Sequence, residues 1–350
     1  MLRSLLLAVL LLPAAAALAV LFAGARSYRA ARGIGLVFVL LHLALTAALV
    51  VPAADFLSDP GRHSRPSGVF VPEFVPGAPR DEAGNVRPEF AHETAWAVVS
   101  FDPRFDPSSP APPESAIRFF VGLDGFNVWL VALASFLMLP AVLSTWDSVR
   151  DRANHFYAWL FLLQAAILGV FLAFDIILFY VFFELTLIPG FFLIGMWGVS
   201  SGRREAARKF FLYTLAGGLI SLVGVVAVVL VTYSRTGALT FSIPELVEVL
   251  RQQYAAPGAG TFWPDAQYWL FLALALGFVI KIPLVPLHSW QPNAYAEAPM
   301  SVTIILSAVL AKLGTFGLLR VVMPLTPDAT LSVGLPLLGT LAAVGILYGA

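Results

Sequence analysis

The chain has three lysines among 21 basic residues, and two of them, Lys281 and Lys312, fall inside long apolar runs. An unpaired lysine at the centre of a bilayer costs about 2.5–3.5 kcal/mol on the insertion scale. Arginine stays protonated in proteins, whereas a buried lysine is able to give up its proton. Lysine at the buried positions of an otherwise arginine-rich chain therefore points to proton exchange. The competing reading is two lysines that snorkel to the interface or sit in static ion pairs.

Glu184 supplies the natural partner. It stands in Phe174-Asp-Ile-Ile-Leu-Phe-Tyr-Val-Phe-Phe-Glu184-Leu-Thr-Leu-Ile-Pro189, about ten residues from either end of its apolar run. A carboxylate there has to be paired or protonated. Beside Lys281 it would favour the charged amine, and moving it away would favour proton release. The bland alternative is a structural carboxyl bonded to a neighbouring backbone break. Asp175 reads as a residue that starts a helix near the interface.

Lys281 opens the segment Lys281-Ile-Pro283-Leu-Val-Pro286-Leu-His288-Ser-Trp290-Gln-Pro292. The two prolines, Pro283 and Pro286, remove the donors that would serve the carbonyls of Val279 and Ile282, so the helix must break. Freed carbonyls in a membrane are tolerated where they line a wet cavity, and a broken helix carrying a charge is a recurrent ion site. At helical spacing His288 falls on the Lys281 face, roughly 10 Å away, within reach through water but not directly. His42 reads as a packed, hydrogen-bonded histidine. Asp124 and Asn127, just before an apolar run, read as helix-capping residues.

These residues need a membrane scaffold to hold them. The chain is 59% hydrophobic and 12% charged with mean hydropathy +0.85, well away from a soluble domain. Nine apolar segments are long enough to cross a bilayer: 5–23, 34–51, 127–143, 156–171, 174–196, 210–231, 269–287, 300–321 and 331–348. Uniformly apolar runs of this length are helices rather than barrel strands, so the fold class is an all-α polytopic membrane protein with a broken seventh helix. The fourth and fifth segments are almost continuous and require a very tight connection.

Arg26, Arg29 and Arg32 follow the first segment, Arg150 and Arg152 the third, and Arg203, Arg204, Arg208 and Lys209 the fifth. All three loops share one side, which the positive-inside rule makes cytoplasmic, with the N-terminus on the periplasmic side of a bacterial inner membrane. The organisation is then two spans over 1–52, a Pro-rich outer loop over 53–118, and a helix bundle over 119–350. Within the loop, Thr94–Ser100 has strand character. In a second outer loop, Ser242-Ile-Pro-Glu245 has the form of a capping box, with Leu246, Val247, Leu250 and Tyr254 at helical spacing, which suggests a short amphipathic helix on the membrane surface or on a partner. The apolar start, with Ala14–Ala17, reads as a retained first span rather than a cleaved signal. The apolar ending Leu347-Tyr-Gly-Ala350 suggests a partial sequence.

Zero formal charge gives no reason to expect nucleic acid, and lipid is the expected surroundings. With no cysteine the chain has no ligands for an iron–sulfur cluster, a thiolate metal site or a c-type haem.

The segment from Lys281 to Pro292, continuing to Glu297-Ala-Pro299, resembles the signature of the antiporter-like subunits of respiratory complex I and of Mrp-type cation/proton antiporters. Ala308-Val-Leu-Ala-Lys312-Leu-Gly-Thr-Phe-Gly-Leu-Leu-Arg320 is similar to the M-type chain more than to the L- or N-type, and the Glu184 segment and Gly122-Leu-Asp-Gly fit in the same order. The resemblance covers most of the chain from about Phe120 onward. It implies an antiporter-like fold in which Glu184 and Lys281 form an ion pair at the entry of a half-channel, Lys312 is the central relay lysine and His288 neighbours the hydrated axis. It also implies that NADH, FMN, iron–sulfur clusters and quinone reside in partner subunits, and that the partners include neighbouring antiporter-like subunits. The family's distal charged residue lies on a later helix than those present here.

Four functions follow for comparison. The first is a proton pump module driven by redox chemistry elsewhere. The second is a subunit of a sodium/proton antiporter or a membrane-bound hydrogenase. The third, a cytochrome b-like protein, would need paired histidines in the spans, where only His42 and His288 are in or beside them. The fourth is a structural anchor.

Overall fold

The computed structural model describes residues 2–57, 94–101, 115–237, 239–255 and 262–349. Helices dominate. In chain order they are α1 (Leu2–Ala23) and α2 (Tyr28–Leu57), then strands β1 (Ala95–Ser100) and β2 (Ala116–Phe120), then α3 (Asn127–Ser144), α4 (Ala153–Leu172), α5 (Ile176–Leu185), α6 (Leu187–Trp197), α7 (Arg203–Thr236), α8 (Ile243–Ala255), α9 (Phe262–Lys281) and α10 (Trp290–Glu297). Two further apolar helical spans, Met300–Leu325 and Pro327–Gly349, follow. Among the described residues eight helical stretches have the length and composition to cross a membrane, counting α5 and α6 as one, and a shorter apolar helix at Ala266–Lys281, seventh in chain order, brings the number to nine. The expected all-α polytopic architecture is the observed one. α2 runs on to Leu57, past the expected boundary at 52. Most of the expected outer loop, residues 58–93 and 102–114, lies outside the described residues.

The basic loops meet at one face. The Arg32 guanidinium donates to the Trp146 carbonyl at 2.7 Å and pairs with Asp147 at 2.9 Å, joining the loop after the first span to that after the third. The Trp197 indole donates to the Asp151 carbonyl at 3.0 Å, which brings in the end of the fifth span. Glu297, at the foot of α10, accepts from the Ser200 amide at 3.1 Å and hydroxyl at 2.6 Å.

The opposite face is closed by backbone pairing. β1 and β2 pair antiparallel, with a register irregularity between Ala97 and Val99. The three-residue link from α4 to α5 is clamped on both sides: the Phe174 amide donates to the Phe120 carbonyl at 2.9 Å, and the Ile243 amide to the Phe174 carbonyl at 2.8 Å. Asp175 starts α5 as expected, accepting from the amides of Ile177 at 2.9 Å and Leu178 at 3.1 Å. Its second oxygen accepts from the Arg118 amide at 2.9 Å.

α8 forms where the sequence placed an amphipathic helix, but its partner is this chain. Ile243, Leu246, Val247 and Leu250 are buried, and α8 packs on α7 and on the end of the Met300–Leu325 span. The side chain of Tyr254 lies outside the described residues. Nor does the capping box close: the Ser242 hydroxyl has no hydrogen-bond partner among the described residues. Glu245 instead pairs with Arg118 at 2.8 Å and accepts from the Thr240 hydroxyl, so a cross-element ion pair takes the place of the local cap.

The bundle is tightest where α7 crosses α9. Small residues let two helices approach closely in a membrane, and Gly217, Ser221 and Gly224 line α7 there. A Cβ on Gly217 would fall 3.1 Å from the Cα of Gly277, and one on Gly224 would fall 2.9 Å from the Leu274 amide nitrogen. The Ser221 hydroxyl donates to the Leu274 carbonyl at 2.9 Å and accepts from the Gly277 amide at 3.0 Å. This crossing fixes the height of α9, and with it Lys281, one helical turn beyond Gly277.

Candidate proton-relay site

α9 ends at Lys281, residues 282–289 are not helical, and α10 resumes at Trp290, so the seventh span is broken where its prolines require. Of the two carbonyls the prolines free, that of Val279 finds a new donor, and that of Ile280, which Leu284 would serve in a regular helix, finds one in its place. The Leu284 amide donates to the Val279 carbonyl at 3.1 Å, and the Trp290 indole reaches back to the Ile280 carbonyl at 2.9 Å. Trp290 is 1% exposed and packs on Phe210, with ring centroids 5.3 Å apart. The break is therefore internally braced.

Lys281 is 1% exposed. Its ammonium donates to the Phe183 carbonyl at 2.8 Å and to the Thr186 hydroxyl at 2.9 Å, and Nζ lies 3.5 Å from the centroid of the Phe183 ring. These acceptors sit at an interruption of the fifth span, between α5 and α6, where Thr186 itself donates to the Phe183 carbonyl at 2.8 Å. The break in the seventh span and this one-residue irregularity in the fifth, where Thr186 keeps helical dihedrals, thus face each other across a buried ammonium.

Glu184 is next to that break but does not touch the lysine. The expected direct ion pair is absent: no Glu184–Lys281 contact falls within 4.0 Å. Both Glu184 oxygens are buried with no hydrogen-bond partner among the described residues. The carboxylate lies against Gly218 of α7, whose backbone carbonyl accepts from the Tyr180 hydroxyl at 3.1 Å. The structural reason for their separation is that the lysine finds a backbone carbonyl and a hydroxyl at the α5–α6 break, while the glutamate fills the notch that the missing Gly218 side chain leaves.

His288 is half-buried, with its ring edge-on to Tyr348 at 5.5 Å and its Nδ1 buried without a partner among the described residues. Helical spacing does not relate it to Lys281, because the helix is interrupted between them. Lys312 is exposed, contrary to the buried position expected for it, and donates to the Ser307 carbonyl at 2.9 Å. That carbonyl lies in a π-helical turn, Leu306–Leu310, where the widened ladder leaves a carbonyl within reach of the lysine five residues on. His42 is packed as expected: Gln164 Nε2 meets its Nδ1 at 3.2 Å, and its Nε2 meets the Val9 carbonyl at 3.0 Å.

The sequence reading missed one buried charge pair. Arg320 is 0% exposed, stacked between the Phe174 and Phe316 rings, and forms an ion pair with Asp124. Asp124 also performs the capping role expected of it, accepting from the amides of Phe126 at 3.0 Å and Asn127 at 2.8 Å. Asn127 ties the same corner to α4 by donating to the Phe171 carbonyl at 2.9 Å. The available signal was an arginine inside an apolar run, which needs a carboxylate in the bundle, though the sequence does not choose between Asp124 and Asp175, both at span ends without an assigned charged partner.

Fold and site define a polytopic helix-bundle membrane protein with buried charges at broken helices. Residues 173–350 match the family model described as NADH:quinone oxidoreductase/Mrp antiporter, TM. The chain belongs to this family. It is 36% identical over 263 residues to the F(420)H(2) dehydrogenase subunit M of Methanosarcina mazei, covering 73% of this chain and 51% of that protein. It is 34% identical over 272 residues to the NADH-quinone oxidoreductase subunit M of Pseudomonas aeruginosa, again covering 73% and 51%. A chain of respiratory complex I from Thermus thermophilus superposes with a TM-score of 0.68 at 26% identity, over 98% of this chain and 58% of that one. The chain spans about half the length of the curated relatives it matches.

Proposed function

We propose that this chain works as a proton-translocating membrane subunit of an NADH:quinone oxidoreductase. In this reading NADH, FMN, iron–sulfur clusters and quinone belong to partner subunits, and other antiporter-like subunits stand beside it in the membrane. The observation that carries the proposal is the buried Lys281 ammonium, held at the break of the seventh span against the Thr186 turn of the fifth, with a buried Glu184 carboxyl alongside that has no hydrogen-bond partner among the described residues. A buried ammonium beside a carboxyl whose position can change is a proton switch, since each position of the carboxyl favours a different protonation state of the amine. Moving one charge against 100 mV requires about 2.3 kcal/mol, and a change of one pKa unit in a buried group supplies about 1.4 kcal/mol, so a modest rearrangement is of the right size.

Lys312 and His288 extend the relay. Lys312 lies on an exposed face of an apolar span, where lipid alone would be a costly neighbour, so the proposal sets further protein against that face. The arginine-rich face is cytoplasmic and the N-terminus periplasmic.

The test is NADH-driven acidification of inverted membrane vesicles carrying the assembled complex, with quinone reduction followed in parallel. Glu184→Gln should abolish most of the acidification while the complex still assembles. Unchanged acidification would overturn the proposal. The second reading, a subunit of an Mrp-type sodium/proton antiporter or a membrane-bound hydrogenase, is favoured by the shared family model and by a relative named for a different electron donor. Sodium-dependent proton exchange without NADH would support it.

A further inference from the structure

Thr186 is 0% exposed, and its hydroxyl does two things at once. It donates its proton to the Phe183 carbonyl at 2.8 Å and accepts from the Lys281 ammonium at 2.9 Å. Because the hydroxyl proton is committed to the carbonyl, its lone pairs are turned to the amine. Phe183 contributes twice, through its carbonyl at 2.8 Å and its ring face at 3.5 Å from Nζ. Carbonyl, hydroxyl and aromatic face are three groups that stabilise an ammonium, and all three belong to one turn of the fifth span.

Glu184 follows Phe183 directly in the chain, yet its carboxylate is directed to Gly218 rather than to this cradle. An ammonium and a carboxylate attract each other in a low dielectric, and Glu184 adjoins the residue whose carbonyl holds Lys281, so keeping the two apart needs a competing set of acceptors. The cradle is that set.

We propose that Thr186, together with the Phe183 carbonyl and ring, is a docking cradle for the protonated Lys281 side chain, and that Thr186 is a positioning residue that holds Lys281 off Glu184. Lysine, with its flexible stem, moves between the cradle and the carboxylate, and Thr186 sets how the two positions are shared. The inference rests on the proton-relay reading and adds a residue to it. One hydrogen bond to a charged group is worth about a tenfold change in the ratio of the two positions.

The experiment uses the assembled complex in inverted vesicles with three variants: Thr186→Val, which keeps the shape but removes the hydroxyl, Thr186→Ser, which restores it, and Lys281→Met. The readouts are protons translocated per quinone reduced and the position of Nζ by cryo-electron microscopy. Expected is a loss of translocation in Thr186→Val with Nζ displaced toward Glu184, and recovery of both in Thr186→Ser. Should Thr186→Val not assemble, Phe183→Leu removes the ring face of the same cradle and is expected to displace Nζ in the same direction. Full translocation with Nζ unmoved in Thr186→Val, while Lys281→Met fails to pump, would overturn the cradle alone. Normal pumping by Lys281→Met would overturn the relay reading beneath it.

Discussion

The Glu184 carboxylate occupies the space beside Gly218 that any larger residue would fill. A Cβ at Gly218 would collide with Glu184 Oε1, and the two residues come from different spans, so the notch is a property of the assembled bundle. Gly218→Ala is therefore expected to displace the carboxylate rather than the helices, because the obstructing atom is the free end of a flexible side chain. Overpacking generally costs about 1–3 kcal/mol, and here the lower end applies. Thermal unfolding in detergent should change little, while proton translocation by the assembled complex should fall clearly. A large drop in unfolding temperature with intact pumping would contradict this account of the notch.

Arg320 and Asp124 form a buried pair, and removing the arginine leaves the Asp124 carboxylate buried without its ion partner. Arg320→Met is expected to destabilise the subunit by about 3–5 kcal/mol. The double variant with Asp124→Asn should recover much of that, since asparagine retains an acceptor for the Phe126 and Asn127 amides and carries no charge. Unfolding of the purified protein in detergent measures both, and additive losses would show that the pair is not energetically coupled.

Trp290→Phe removes the indole donor that serves the Ile280 carbonyl while keeping an aromatic ring against Phe210. A buried carbonyl left without a donor costs about 1–3 kcal/mol. The expectation is faster backbone hydrogen exchange confined to residues 280–290, with the crossing of α7 and α9 still protected. Unchanged exchange in that segment would mean that the indole does not brace the break.

His42 joins α1, α2 and α4 through the Val9 carbonyl and Gln164, away from Lys281. His42→Leu should lower stability by about 1–3 kcal/mol, because two buried polar partners lose their bonds. Proton translocation per quinone reduced should stay at the parent level. Loss of pumping in a stably assembled His42→Leu complex would give this histidine a part in the relay.

The spans were legible because hydropathy and length decide them, and the break after Lys281 was legible because Pro283 and Pro286 cannot donate. What the prolines do not encode is who serves the freed carbonyls. For Val279 that is Leu284, which bonds one residue further back than a helix would, and the Ile280 carbonyl that Leu284 thereby leaves is taken by Trp290, which folds over the break. Glu184 and Lys281 could be chosen as charges stranded in apolar runs, but their lack of direct contact depends on Thr186 and Gly218, neither of which carries a charge to announce itself. The exposure of Lys312 was hidden for a related reason: apolar composition identifies a span without saying which side of it meets the bundle. α8 had a readable amphipathic face, yet the pattern cannot tell the membrane surface from the chain's own α7.

The proposal that Lys281 works by exchanging its proton is tested most directly by Lys281→Arg, measured as NADH-driven acidification of inverted vesicles with the assembled complex. A guanidinium keeps the positive charge and can donate to the Phe183 carbonyl and the Thr186 hydroxyl, but it does not release a proton. The account predicts a complex that assembles and fails to acidify the vesicles; acidification at the parent rate would contradict it and leave Lys281 as a fixed charge.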